Sequence, residues 1–297
     1  MPNPFSSLSE NEVPDPVVLD ALLRKANEEF PRMRGNVKRL TSHLVLKSTP
    51  LYRSRVEAEA MRFVAEHCPG IPVPRLRHYW EEGDEGHLVM DYVEGEPFQR
   101  ARNQLSPAQR ETLMKELAGY VDDLRRIPQP PPPTRNTTLP ERNWIGSPLG
   151  HAMTDFSMTQ MDEPFGPFAT QTEFNDWKVS RYKKFGDAHA LTAQRIAEIR
   201  LTMPNDHAVV FTHGDINRKN VLVQVKGDGP GDVEVAALLD WEQAGWRPAF
   251  WESFKWRWEG STSEEWNNFA LKHLCVGHEA DVILEEELQQ ISFYFTP

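Results

Sequence analysis

Two cysteines, Cys68 and Cys275, are the only thiols in 297 residues. They build no disulfide framework and read as reduced thiols of a cytoplasmic protein. Long apolar runs are missing: none approaches the roughly 20 residues that span a bilayer, so no membrane partner is expected. The start, MPNPFSSLSENEVPDP, lacks a basic stretch followed by an apolar one, so no signal peptide is expected. No internal repeat occurs. Positive charge is in deficit, with 33 Lys and Arg against 44 Asp and Glu and a net charge of −11. Phosphate backbones need clustered Lys and Arg, which argues against a nucleic-acid partner. The balance is compatible with a cationic small molecule. The chain is 39% apolar and 26% charged. It is therefore neither disordered nor fibrous, and long enough for one large domain or two smaller ones.

Residues 1–14 read as a poorly ordered tail. Asp15 and Pro16 read as an N-cap and first helical residue, and Val18, Leu19, Leu22, Leu23 and Ala26 continue at helical spacing. NVKRLTSHLVLKST alternates as a strand around Leu44 and Leu46 and carries Lys47 near its end. RVEAEAMRFVAEHC is helical, with Val56, Ala60, Phe63 and Val64 on one face. GIPVPRL ends it, because proline disfavours helix in the preceding residue. RLRHYW and GHLVMDYV are strands joined by the acidic turn EEGDEG. From Ser106 helices dominate. SPAQ is a capping box, with Leu113, Leu117, Tyr120, Val121 and Leu124 as the buried stripe behind it. PQPPPP (128–133) is a stiff polyproline stretch, read as a loop inside the second lobe. Residues 134–170 look irregular and helices return over about 171–202. A hairpin over KGDGPGD, a strand VEVAALLDW and a Trp-rich helical region complete the chain.

In FTHGDINRKNVLV, Asp215 and Asn220 sit five residues apart between two apolar segments. Both offer oxygen ligands for a hard cation such as Mg²⁺, and a carboxylate can take a hydroxyl proton. The bland alternative is a turn, which Asp, Asn and Gly all favour. Asp240 ends an apolar strand, where a carboxylate is costly unless paired or metal-bound; a helix N-cap is the alternative. Lys47 ends a strand ahead of a helix bearing Glu57 and Glu59. These two lie about 200° apart, so only one can face Lys47, and periodicity does not choose. Trp241, Trp246, Trp251, Trp256 and Trp258 form a dense aromatic run expected to pack the core.

HGDINRKN is similar to the H-x-D-x-x-x-x-N catalytic loop of protein-kinase-like phosphotransferases, and LLDWE to the metal-binding segment that follows it. With LLDWEQAGWRPAFWE, EAEAMRFV followed by IPVP, and VMDYVEGEPF, the chain resembles the aminoglycoside phosphotransferase family, most of all the branch common in fungi. The likeness runs in order from about residue 36 to 260. It implies an α+β, two-lobed protein-kinase-like fold. A small β-rich N-lobe with one helix and an N-terminal helical extension would span 1–93, and a larger, mainly helical C-lobe 94–297. It implies an ATP- and Mg²⁺-dependent O-phosphotransferase, with GTP as the other candidate nucleotide. The acceptor would be a hydroxyl of a small cationic molecule, by default an aminoglycoside such as hygromycin B in a resistance-type enzyme. Asp215 would be the catalytic base or hydroxyl-orienting group, and Asn220 and Asp240 would hold Mg²⁺. Lys47 would contact the α- and β-phosphates. The family position selects Glu57 as its partner, and Met90, Asp91, Tyr92 and Val93 would be the adenine-binding hinge. His213 would brace the loop. A monomer is expected.

The sequence departs from the pattern in three places. No G-x-G-x-x-G precedes Lys47; the phosphate-covering hairpin falls near RGNVKRLTSHLVLK, where the amides of LTSH with Thr41 or Ser42 are the available donors. Asn217 stands where protein kinases carry a lysine, leaving Arg218 and Lys219 as nearby cations. DWEQAGWRPAFWES runs toward a helix with no long activation segment, which favours a small-molecule acceptor over a peptide. Glu242, Asp155, Asp162, Glu163, Glu259, Glu264 and Glu265 are candidate acceptor-binding acids, with a solvated surface role as the alternative for each. Three other functions compete. They are a kinase of another metabolite (amino alcohol, sugar or secondary metabolite), a nucleotide-binding module without catalysis, and a metal-dependent hydrolase using His213, Asp215 and Asp240.

Overall fold

Alternation along LVLK sets the first sheet. β2 (Leu44–Pro50) lies between β1 (Val37–Arg39) and β4 (Glu85–Asp91), and β3 (Leu76–Glu82) pairs with β4, all antiparallel, in the order β1-β2-β4-β3. The computed structural model describes residues 5–9, 12–30, 33, 35–133, 138–158, 163–182, 190–259 and 263–294. Leu44 and Leu46 enter a core with Leu40, Trp80 and Val89. The period of two puts Val45 and Lys47 on the opposite face, where Lys47 meets α2 (Leu51–His67). Both faces are covered, so Leu44 to Lys47 are all buried.

α1 (Pro16–Glu29) starts as expected, with Asp15 accepting from the Val17 N–H at 2.8 Å, and packs Leu19, Leu22 and Leu23 on that core. The tail expectation is corrected where residues 1–14 are described. Phe5 is 3% exposed and stacks on His78 and Trp80, and the Glu12 carbonyl lies 2.8 Å from His78 Nε2. Burying one aromatic ring offsets the ordering of a few residues, and a lone Phe leaves no periodicity in the sequence. Residues 1–4, 10 and 11 lie outside the described residues.

The chain divides into two compact units, Met1–Leu113 with Lys219–Glu242, and Met114–Arg218 with Gln243–Pro297. This differs from a single break after Val93, because strands far apart in sequence pair. β5 (Glu96–Pro97), β7 (Val221–Val225) and β8 (Val233–Leu238) form one sheet ordered β5-β7-β8, and the Leu238 N–H donates to the Pro72 carbonyl. The short α3 (Phe98–Ala101) follows β5. α4 (Pro107–Arg126) begins with the expected capping box: Ser106 N–H donates to Gln109 Oε1, and Gln109 N–H to Ser106 Oγ.

The second unit is mainly helical, with α5 (Gln171–Ser180), α6 (Ala190–Thr202), α7 (Trp251–Glu259), α8 (Glu264–His273) and α9 (Glu279–Tyr294) beside the two-stranded pair β6 (Val209–Thr212) and β9 (Gly245–Pro248). Ile145, Met153, Phe174, Trp251 and Phe254 build its largest described core. The polyproline stretch lies within this unit, and Gln129 ties it to Asn143 and Trp144. Trp246, Trp251 and Trp256 are buried with their indole N–H groups bonded to Pro148 O, Asp155 and Trp266 O; Trp241, in the first unit, donates to Leu238 O. These four pack as expected.

Candidate functional site

In the first unit, Lys47 projects from β2 into three carboxylates. Its Nζ is 2.7 Å from Glu57 Oε2, 2.6 Å from Asp240 Oδ1 and 3.5 Å from Glu242 Oε2. Glu57, inside α2, is 2% exposed and is the glutamate that faces Lys47; Glu59 is not part of this cluster. Burial pulls the Lys47 ammonium down, but Glu57, Asp240 and Glu242 outweigh it and hold its pKa above the ordinary lysine value. Burial raises the Glu57 carboxyl, opposed by Lys47. Burial and Asp240 raise Glu242, opposed by Lys47 and by Arg53, whose Nη1 is 3.6 Å from Glu242 Oε1.

The β7–β8 hairpin brings two more expected residues to one end. Val221 pairs with Leu238, and the Leu239 N–H donates to the Asn220 carbonyl at 2.8 Å, so Asn220 and Asp240 flank the same end of the hairpin. Asp240 takes φ +69°, a left-handed conformation that aspartate tolerates better than most residues. It precedes a 3₁₀ turn, Trp241–Gln243. A third of its side chain is exposed, unlike Glu57. Asn220 and Asp240 supply oxygen donors, the chemistry a hard cation takes.

The segment expected to be the hinge leaves β4 at Met90 and Asp91. Met90 is buried, Asp91 is held by Arg77 through contacts of 2.6 and 2.8 Å, and the Tyr92 N–H donates to His43 O. Arg39 lies 3.5 Å over the Tyr92 ring and donates to the Thr41 and Ser42 carbonyls. The turn 40–43 corrects one expectation. The Leu40 and Thr41 N–H groups donate to Leu44 O, and the His43 N–H to Thr41 Oγ1, so three of its four amides are engaged inside the turn.

The loop expected to carry catalysis lies in the second unit up to Arg218. The buried Glu252 of α7 accepts from the His213 N–H at 2.6 Å and from the Gly214 N–H at 3.1 Å. His213 Nδ1 accepts from the Asp215 N–H at 3.1 Å, the bracing expected of it. Gly214 has φ +75°, and a Cβ there would stand 2.7 Å from the Gln243 carbonyl, so only glycine fits. Asp215 and Asn217 are buried, and Asn217 Nδ2 donates to the Asp215 carbonyl at 3.3 Å. Glu252 and Arg53 went unnoticed in the sequence: each is one acid or base on an ordinary helix, and only the fold gives it partners.

The candidate acceptor acids separate. Glu242 belongs to the Lys47 cluster. Asp155 is fully buried and bonded to Lys255, Trp251 and Ser157, so it serves the core. Glu163 pairs with Arg181 at 3.5 Å. Glu264 and Glu265 open α8. Asp162 lies outside the described residues, as does the side chain of Glu259. Another group of ligand-type residues, His207, His278 and Asp281, gathers in the second unit. There Gln171 Oε1 accepts from the His207 N–H, and its Nε2 donates to Pro204 O and to His207 Nδ1. A ring accepting at Nδ1 carries its proton on Nε2, 3.0 Å from Asp281 Oδ2, and offers a metal no lone pair there. No helix among the described residues is long and apolar enough to cross a membrane.

An antiparallel lobe bearing a lysine–glutamate pair, with a mainly helical part bearing the H-x-D loop, defines a kinase-like phosphotransferase that acts on a hydroxyl acceptor. The chain belongs to the APH phosphotransferase enzyme family, whose model matches residues 33–271. Solved structures with similar folds include an aminoglycoside-3'-phosphotransferase of type VIII, at 19% identity and TM-score 0.55, covering 92% of this chain and 98% of that one. A thermostable mutant of aminoglycoside phosphotransferase APH(4)-Ia, in ternary complex with ADP and hygromycin B, is 12% identical with TM-score 0.58, covering 92% of this chain and 89% of that one. A gentamicin–APH(2")-IIa complex is 12% identical with TM-score 0.55, covering 96% and 88%. At these identities the likeness is one of fold. No curated protein matches the chain by sequence.

Proposed function

We propose that the chain transfers the γ-phosphoryl group of ATP, or of GTP, to a hydroxyl of a small cationic molecule, with an aminoglycoside such as hygromycin B as the first acceptor to test. The observation that carries this reading is the Lys47 ammonium held between Glu57 and Asp240. A strand lysine fixed by a helix glutamate has the chemistry to hold α- and β-phosphates. The backbone of Met90, Asp91, Tyr92 and Val93 holds the adenine. Asn220 and Asp240, with oxygen donors only, fit Mg²⁺, which would neutralise phosphate charge when bound. Asp215 orients the acceptor hydroxyl and takes its proton. The acceptor oxygen forms its bond to the γ-phosphorus as the bond to the β–γ bridging oxygen breaks, leaving the nucleoside diphosphate. Solved structures of the fold support the choice of ligands, since one holds ADP with hygromycin B and another AMP-PNP with hygromycin B.

The turn 40–43, with most of its amides engaged internally, favours a second reading, a nucleotide-binding module without transfer. One screen separates the two. The protein is incubated with MgATP and a panel of hydroxyl acceptors, aminoglycosides, amino alcohols and sugars, and products are read by mass. An acceptor gaining one phosphate supports the transferase and names its substrate class. Intact ATP binding with no phosphorylated acceptor supports the module.

A further inference from the structure

In the second unit, α5, the stretch 203–207 that enters β6, and α9 enclose a small cavity. Its polar wall is formed by Gln171, Asn175, Pro204, His207, Asp281 and Glu285. The side-chain N–H groups of that wall are all committed. Gln171 Nε2 donates to Pro204 O and His207 Nδ1, and Asn175 Nδ2 to Pro204 O and Asn205 Oδ1. His207 Nε2 donates to Asp281 Oδ2 at 3.0 Å. Each amide nitrogen has two hydrogens and serves two acceptors, which fixes both amides in orientation. What the wall still offers is oxygen, from Asn175, Asp281 and Glu285. Glu285 is 1% exposed. Its Oε1 pairs with the buried Lys178, and its Oε2 has no hydrogen-bond partner among the described residues. A buried carboxylate oxygen left unpaired is costly, and it calls for a ligand.

Charge and size define that ligand. Lys178 brings one positive charge against the two negative charges of Asp281 and Glu285. His207 accepts at Nδ1 and is therefore neutral. His278, 3.6 Å from Asp281 Oδ2, is held below the ordinary histidine value chiefly by burial, so it adds no charge at neutral pH. The balance is one net negative charge. The space admits one particle the size of a water molecule, with about 10 Å³ for its centre. We propose that this cavity binds one monovalent cation of about the size of potassium, through the oxygens of Glu285, Asp281 and Asn175. A water could donate to only two of these oxygens and would leave the charge in place. A divalent ion would overshoot the balance, and a transition metal finds no lone pair on His207. Burial raises the Glu285 carboxyl and Lys178 opposes that shift; a second cation acts in the same sense as Lys178. The bound ion ties α5 and α9 to the segment entering the strand that leads to His213.

The test is urea denaturation of the full-length protein, without nucleotide or Mg²⁺, in potassium chloride and in choline chloride at equal ionic strength. Choline is too large for the cavity. The wild type should be stabilised saturably by potassium, its unfolding constant falling about tenfold when potassium reaches about ten times its Kd. Equal stability in the two salts overturns the inference and leaves a water as the occupant. Asp281→Asn, which removes the net charge and keeps an oxygen for His207, should abolish the potassium dependence, as should Glu285→Gln. A potassium effect retained in full by either folded variant places the ion elsewhere and overturns the inference. Should neither variant fold, anomalous diffraction from wild-type crystals soaked in thallous acetate, thallium standing in for potassium, decides. A peak against Glu285 and Asp281 supports the site, and no peak there overturns it.

Discussion

At the scale of single residues, the structure separates two glutamates that helical periodicity treats alike. Glu57 is enclosed with Lys47; Glu59 is partly exposed and outside the cluster. Glu57→Ala should therefore raise the KM for ATP by about tenfold, and Glu59→Ala should leave it within about twofold; a KM that rises only in the second variant would reverse the assignment. Asp215→Ala should cut turnover by roughly 10²–10⁴-fold while ATP still binds, and unchanged turnover would remove Asp215 from the chemistry. Lys47, Glu57, Asp215, Asn220 and Asp240 could be named as candidates because each falls at a fixed offset within a motif, and the structure brings Lys47, Glu57 and Asp240 together. Arg53 and Glu252 could not, because a charged residue on a helix acquires meaning only from what the fold sets opposite it. Phe5 was missed for the same reason.

At the scale of elements, α7 acts on the loop through one side chain. Burial raises the Glu252 carboxyl, and the His213 and Gly214 N–H groups oppose that shift. Glu252→Ala leaves both buried donors without their acceptor and should cost about 2–4 kcal/mol, read by urea denaturation. It should also lower turnover more than the ATP KM, since it loosens the loop that bears Asp215. A turnover loss matched by an equal loss of ATP affinity would count against that role. The helix starts at Asp15 and Ser106 were readable because capping is local chemistry. The turn 40–43 was read as a source of donors; its internal bonding depends on the sheet register, which brings Leu44 O back onto Leu40 and Thr41.

Across the molecule, the alternation of strands, then helices, made the α+β class readable, while the grouping of 94–113 and 219–242 with the first sheet depended on long-range pairing of β5 with β7. The mainly helical unit contains a buried ion pair, Lys255 with Asp155 at 2.9 Å. Burial raises Asp155, but Lys255, Ser157 and Arg247 outweigh it and hold the carboxyl below its ordinary value near 3.8. Its contribution is thus present above that ordinary value and is lost as pH falls through the lower folded value. Asp155→Asn should cost about 3–5 kcal/mol at neutral pH by stranding Lys255, with the difference from wild type shrinking in acid; a constant difference down to the acid transition would contradict the pairing. The central claim is that the Lys47, Glu57 and Asp240 cluster is a magnesium–nucleotide site. Its most direct measurement is calorimetric titration of ATP into the wild type and Asp240→Ala, each with and without Mg²⁺. Binding that Mg²⁺ strengthens in the wild type and leaves unchanged in Asp240→Ala is predicted; equal strengthening in both proteins would contradict the account.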